Sequence, residues 1–227
     1  MGRCIAENLA KNGVHLAIHY RTSQQEAASF TAQLHEQGAH ACPLYADLSQ
    51  ETDCKQLIEQ TLTALEGLDI LILNAALFRH DELGSLSQEF MHQQLQINLV
   101  APLLLTKTFY QAVPSGQVIL LLDQRIAHAT AHHWSYTLSK KALADATRML
   151  AAEMAPHFRV NAIAPGPILL PDTTDTQTAR ESAGFIPLER RPTPNDVFHA
   201  ITYLLHAQST TGQIIYVDGG QHLGERP

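Results

Sequence analysis

Short apolar runs rich in Val, Ile and Leu recur at residues 14–20, 41–45, 68–73, 117–122, 159–164 and 213–217. Each is continuous rather than alternating, the pattern of a strand buried on both faces of a parallel sheet. The segments between them, residues 2–11, 23–37, 51–65, 88–112, 133–155 and 195–205, carry apolar residues at three- and four-residue intervals, which predicts helices. Asn12-Gly13 and Gln37-Gly38 read as C-terminal stops, while Ser49 to Thr52 and Thr193-Pro194 read as N-terminal starts. Strand and helix alternate throughout, which predicts one doubly wound α/β domain, residues 1–227, with right-handed crossovers.

In such a sheet ligands bind beyond the carboxyl ends of the strands. Arg21, Asp47, Asn74, Asp123 and Pro165 each fall just after a predicted strand. Residues 167–192 lack periodicity and hold prolines at 167, 171, 187 and 192, so this stretch is expected to form a lid over the substrate.

Composition narrows the function classes. Lys plus Arg total 15 against 22 Asp plus Glu, a formal charge of −7, and no basic run supplies the phosphate-neutralising patch of a nucleic-acid binder. The longest strongly apolar stretch, residues 69–77, is far below the roughly 20 residues that span a bilayer. Glu7 and Lys11 stand where a signal peptide would have its apolar core, so a cytoplasmic protein is expected. Cys4, Cys42 and Cys54 are odd in number and lack C-x-x-C spacing, which argues against a disulfide framework or a structural zinc site. Among 13 His, only His128, His132 and His133 suggest ligand spacing; no carboxylate or Cys accompanies them in sequence, so they read as solvated polar residues and no metal is expected.

The strongest chemical signal is Tyr136-Thr-Leu-Ser-Lys140 within a helical segment. A spacing of four places phenol and ammonium on one helix face, where the cation is expected to lower the phenol's pKa and let it pass a proton near neutral pH. After strand 14–20 the chain gives no acid but Arg21-Thr22-Ser23, a cation and two hydroxyls at a helix start, a setting that favours an anionic group.

Six motifs in order give the chain its resemblance to the short-chain dehydrogenase/reductase family over its whole length. They are Asp47-Leu48, Leu73-Asn74-Ala75-Ala76, Asn98, Tyr136 with Lys140, Asn161-Ala-Ile-Ala-Pro165-Gly166 and Val217-Asp-Gly-Gly220. The resemblance implies a Rossmann-like fold and an NAD(P)-dependent oxidoreductase acting on a small molecule. Tyr136 would be the proton donor, Lys140 would lower its pKa and hold the nicotinamide ribose, and Asn98 would support a proton relay. Gly2, Arg21, Thr22, Ser23, Asp47, Leu48, Asn74, Ala75, Lys140, Pro165 and Gly166 would bind the cofactor. It also implies a homotetramer, with helices 88–112 and 133–155 between subunits.

Two departures are informative. Most members place Ser thirteen residues before the Tyr, where this chain has Asp123, and Phe78 follows the Asn74 motif. Both features are similar to the pteridine reductases: Phe78 would stack a flat pterin, and the Asp123 carboxyl would orient or help protonate a ring nitrogen during reduction of a C=N bond. NADPH-dependent reduction of a dihydropterin or dihydrofolate-type substrate is therefore expected, with Phe78, Asp123 and Tyr136 at the substrate. Reduction of carbonyl compounds such as 3-oxoacyl thioesters is the alternative within the family, and a non-catalytic oligomeric relic the alternative outside it. The family also opens with a strand and a Gly-rich phosphate loop whose last Gly corresponds to Gly2; the chain as written is expected to lack that central strand and most of the loop, and so to bind nucleotide weakly.

Overall fold

The structure, a computed structural model, describes residues 1–168 and 184–224. Among these residues helices and strands alternate. They run α1 (Gly2–Lys11), β1 (Leu16–Tyr20), α2 (Gln24–Glu36), β2 (Ala41–Tyr45), α3 (Glu51–Leu65) and β3 (Ile70–Leu73). There follow α4 (Gln88–Leu95), α5 (Ala101–Ala112), β4 (Gly116–Leu121), α6 (Trp134–Met154), β5 (Phe158–Pro165), α7 (Pro194–His206) and β6 (Ile214–Val217). All strand pairs are parallel, in the orders β1-β2 and β3-β4-β5-β6. The Rossmann-like α/β domain expected from the alternating pattern is the observed one.

The continuous apolar runs have the predicted cause. Along β4, Val118 and Leu120 enter one core with α3, α5 and α6, whereas Ile119 and Leu121 enter a second core with α1, α2 and α7. Successive side chains point to opposite faces, and both faces are covered, so every position must be apolar.

The sheet is divided in two. The edges of β1 and β3 that do not pair with β2 and β4 border a cavity of about 910 Å³, lined also by Ile5 and Leu9 of α1 and by Leu57 and Ile58 of α3.

Several boundaries differ from the periodic reading for local reasons. Strand β1 starts at Leu16, not residue 14, because Gly13 turns through φ +77° and Val14 still donates to Leu9 O. The 88–112 helix is interrupted by a π-helical turn, Gln96–Val100, that carries Asn98. Helix α6 starts at Trp134 because His133 takes a left-handed φ of 57°. The Thr193 start holds: its hydroxyl accepts from Asp196 N while Asp196 accepts from Thr193 N, a reciprocal cap. Ser49 does not cap α3; instead Asp53 in the first turn accepts from Asp47 N at 2.9 Å. The proposed lid falls largely on residues 169–183, outside the described residues; Leu188, within its described end, donates from its N–H to Gly219 O.

Candidate active site

Strand β4 ends at Leu121, and two residues later Asp123 opens a short 3₁₀ turn, Gln124–Ala127, by accepting from Arg125 N at 2.9 Å. Its other carboxylate oxygen accepts from the Tyr136 hydroxyl at 3.0 Å, and Arg125 Nη1 lies 3.7 Å from it. Tyr136 sits in the first turn of α6, and Lys140 follows one turn on, as the spacing predicts. Lys140 is only 2% exposed, and its ammonium donates to Leu121 O at 2.6 Å. The end of β4 and the start of α6 thus bring Asp123, Tyr136 and Lys140 together.

The electrostatics correct one expectation. Burial, then the Asp123 charge and its hydrogen bond, push the Tyr136 phenol above its ordinary value, and Lys140, with its Nζ 5.9 Å from the ring centroid, does not offset them. Burial also pulls Lys140 itself down to about 8. Tyr136 is therefore a phenol with its proton in place, suited to donating rather than to resting as phenolate. Lys140 is a buried cation with three N–H donors and one acceptor, leaving donors for a ligand.

Asn98 lies in the π-helical turn. It is fully buried; its Oδ1 accepts from Leu77 N at 2.7 Å, and its Nδ2 donates to Leu77 O at 2.8 Å and to Gln94 Oε1 at 3.2 Å. Its side-chain hydrogen bonds thus go to the Leu77 backbone beside Phe78 and to Gln94.

Phe78 is 52% exposed, stands edge-on to Tyr136 at 4.7 Å between centroids, and lies flat on His133 at 4.3 Å with an interplanar angle of 17°. The Arg125 guanidinium lies 5.3 Å from its ring centroid. A half-exposed aromatic ring at this place offers apolar surface to a flat ligand. His133 was not expected here. Burial holds its imidazole below its ordinary pKa, and its Nδ1 meets Arg79 O at 3.1 Å. Asp81 was missed as well. It is buried and accepts from the backbone N–H and the hydroxyl of Ser135, fastening the loop after Phe78 to the helix that carries Tyr136. No sequence spacing links residues 81 and 135.

The other expected residues fall into two groups. Arg21, Thr22 and Ser23 are exposed at the carboxyl end of β1, and Ser23 makes no side-chain cap to α2. Asp47 lies beside them, its carboxyl held below the usual range by hydrogen bonds from Ser49 and then by the charges of Arg21 and His19. Gly2, Ser23, Leu48, Asn74 and Ala75 line the cavity between the sheets, though the Leu48 side chain is itself core. A Cβ at Gly2 would come within 2.8 Å of Asn74 Nδ2, and one at Gly166 within 2.9 Å of Asp218 Cα. Pro165 ends β5, with Gly166 N donating to Val217 O at 2.9 Å.

The His128–His132 pairing does not form, because residues 128–133 are not helical. His132 instead meets Glu82 and His80, so a carboxylate does accompany it in space.

Comparison with known proteins places these residues in context. A family model described as enoyl-(acyl carrier protein) reductase matches residues 1–222. The chain is 28% identical over 227 residues to a 3-oxoacyl-(acyl-carrier-protein) reductase of Synechocystis sp., covering 97% of this chain and 92% of the relative. It is 27% identical to glucose 1-dehydrogenase of Gluconobacter oxydans, covering 97% of this chain and 87% of the relative. Among solved structures, FolM alternative dihydrofolate reductase 1 from Brucella canis, complexed with NADP, is 34% identical with a TM-score of 0.92, covering 100% of this chain and 91% of that one.

Proposed function

The chain belongs to the short-chain dehydrogenase/reductase family of NAD(P)-dependent oxidoreductases, and on that premise we propose that it reduces a C=N bond of a pteridine, of dihydropterin or dihydrofolate type, with NADPH. The observation that carries this reading is the Asp123 carboxylate hydrogen-bonded to the Tyr136 hydroxyl, with the half-exposed Phe78 ring edge-on to Tyr136. The structural neighbour named as an alternative dihydrofolate reductase, complexed with NADP, supports it.

The residues present fit the dinucleotide. The N–H groups of the first turn of α1 have no side-chain cap, and Gly2 leaves the backbone bare beside Asn74. Arg21 supplies a cation for a 2′-phosphate, and Lys140 holds unspent donors for ribose hydroxyls. When bound, NADPH supplies a hydride to the carbon of the C=N bond. Tyr136 gives its phenolic proton to the nitrogen. Asp123 orients the Tyr136 hydroxyl and offers its carboxylate to N–H groups on the substrate ring. Phe78, held through Leu77 by Asn98, supplies the stacking face.

The same reading includes a cytoplasmic homotetramer. Exposed Tyr110 on α5 and exposed Leu138 and Met149 on α6 support an assembly through those helices.

The test follows NADPH oxidation with dihydropterin, dihydrofolate and a 3-oxoacyl thioester, for the parent protein and for Asp123→Ser. Pterin reduction by the parent that falls at least tenfold in Asp123→Ser, with thioester reduction unchanged or raised, is the expected result. Thioester reduction alone, or pterin reduction indifferent to Asp123→Ser, overturns the pteridine reading in favour of a carbonyl reductase. Failure to bind NADPH at all would point to the non-catalytic alternative.

A further inference from the structure

At the rim of this pocket, three residues distant in sequence converge. Glu82 Oε1 lies 2.9 Å from His132 Nδ1 and 3.5 Å from His80 Nε2, and the three donor atoms all fall within 4.8 Å of one another. The two imidazole rings stack at 5.5 Å with an interplanar angle of 28°. We propose that His80, Glu82 and His132 bind a divalent transition-metal ion of the Zn²⁺ class, which clamps the loop after Phe78 to the start of α6.

The donor set selects the ion. Two imidazoles with one carboxylate suit Zn²⁺ and its transition-metal neighbours, whereas Mg²⁺ and Ca²⁺ take oxygen ligands. Tetrahedral coordination with bonds of about 2.0–2.2 Å sets donor atoms about 3.3–3.5 Å apart. The two His–Glu separations already bracket that spacing, and the two His donors need close by no more than about 1.4 Å to reach it. The side chains can make that adjustment, being 58%, 50% and 60% exposed for His80, Glu82 and His132. Three protein ligands leave one position for water.

The backbone beneath the ligands is already fixed, so ordering the site costs little. Asp81, between His80 and Glu82, is buried and tied to Ser135, and His133 N donates to Asp81 O at 2.8 Å. Thr130 accepts from His132 N at 3.2 Å and donates to His132 O at 2.8 Å, holding the third ligand's backbone. The metal would bear on the pocket without touching the reacting atoms. His80 is two residues from Phe78, and His132 precedes the imidazole on which Phe78 stacks. The inference needs neither cofactor nor substrate and stands apart from the pteridine reading.

The experiment titrates untagged protein with Zn²⁺ against a chromophoric chelator and records the absorption of the Co²⁺ form. One ion per chain is expected at micromolar Zn²⁺, with a rise in Tm. His80→Ala, His132→Ala and Glu82→Gln should each weaken binding at least tenfold and abolish the rise, while His222→Ala leaves both intact. Absence of stoichiometric binding at that concentration, or binding unchanged in both His80→Ala and His132→Ala, overturns the site. Circular dichroism of each variant separates loss of a ligand from loss of the fold.

Discussion

Lys140→Met should make the cofactor-free protein more stable at neutral pH and less so, relative to the parent, in alkali. Lys140 is 2% exposed, and burial lowers its pKa from 10.5 to about 8. The folded state therefore disfavours the charged form. That cost is present in full below pH 8 and disappears as the pH rises past 10.5, because across this window the unfolded chain binds a proton that the folded one has released. At about 1.4 kcal/mol for each pKa unit, the cost is about 3 kcal/mol near pH 6.5 and about 1 kcal/mol near pH 9.5. Against it stands the hydrogen bond from Nζ to Leu121 O at 2.6 Å, whose loss costs about 1–2 kcal/mol at either pH. The net gain of the variant is thus about 1–2 kcal/mol near pH 6.5 and about zero or negative near pH 9.5. For a chain of this size, Tm should rise by several degrees at the lower pH, at about 2–4 °C for each kcal/mol, and the rise should vanish at the higher one. Thermal unfolding followed by far-ultraviolet circular dichroism at both pH values measures it. A Tm difference that is the same at the two pH values would show that Lys140 carries no buried charge through neutrality, and the account of its free donors would fall with it.

Tyr136→Phe should lower kcat by about 10²–10⁴ while NADPH binding, followed by fluorescence, stays within about twofold. Because burial and Asp123 raise the Tyr136 phenol above 10, its proton stays in place through pH 9, so the parent's pH–rate profile should show no alkaline fall from Tyr136 below that point; a fall below pH 9 that moves to still lower pH in Asp123→Asn would contradict the assignment. Arg21→Asp should reverse the preference for NADPH over NADH in kcat/KM, since it sets a negative charge against the 2′-phosphate; an unchanged ratio would mean that other residues read the phosphate. Arg159→Met should cost about 1.5–3 kcal/mol in urea unfolding, because its guanidinium donates to Leu204 O, Leu205 O, Ala207 O and Thr210 O at the end of α7. An unshifted midpoint would remove that cap from the account of the fold.

The sequence alone determined what depends on neighbours in the chain. Continuous apolar runs mark strands covered on both faces, the three- and four-residue spacing marks the helices between them, and a separation of four puts Tyr136 and Lys140 on one helix face. Asp123 was legible for the same reason, since it lies two residues beyond a strand whose carboxyl end faces the ligand site. Tertiary structure decided whatever depends on burial or on contacts between distant segments. Burial and the Asp123 carboxylate hold the Tyr136 pKa up despite the nearby Lys140, and no spacing encodes that desolvation. Asn98 is tied to Leu77 because a π-helical turn aims its amide at that backbone, a geometry the hydrophobic period does not carry. The fastening of Asp81 to Ser135, the stacking of Phe78 on His133 and the meeting of His80, Glu82 and His132 each join residues about fifty apart. Such contacts are made by the crossover that brings the segment after β3 alongside the start of α6, and a linear pattern holds no trace of them.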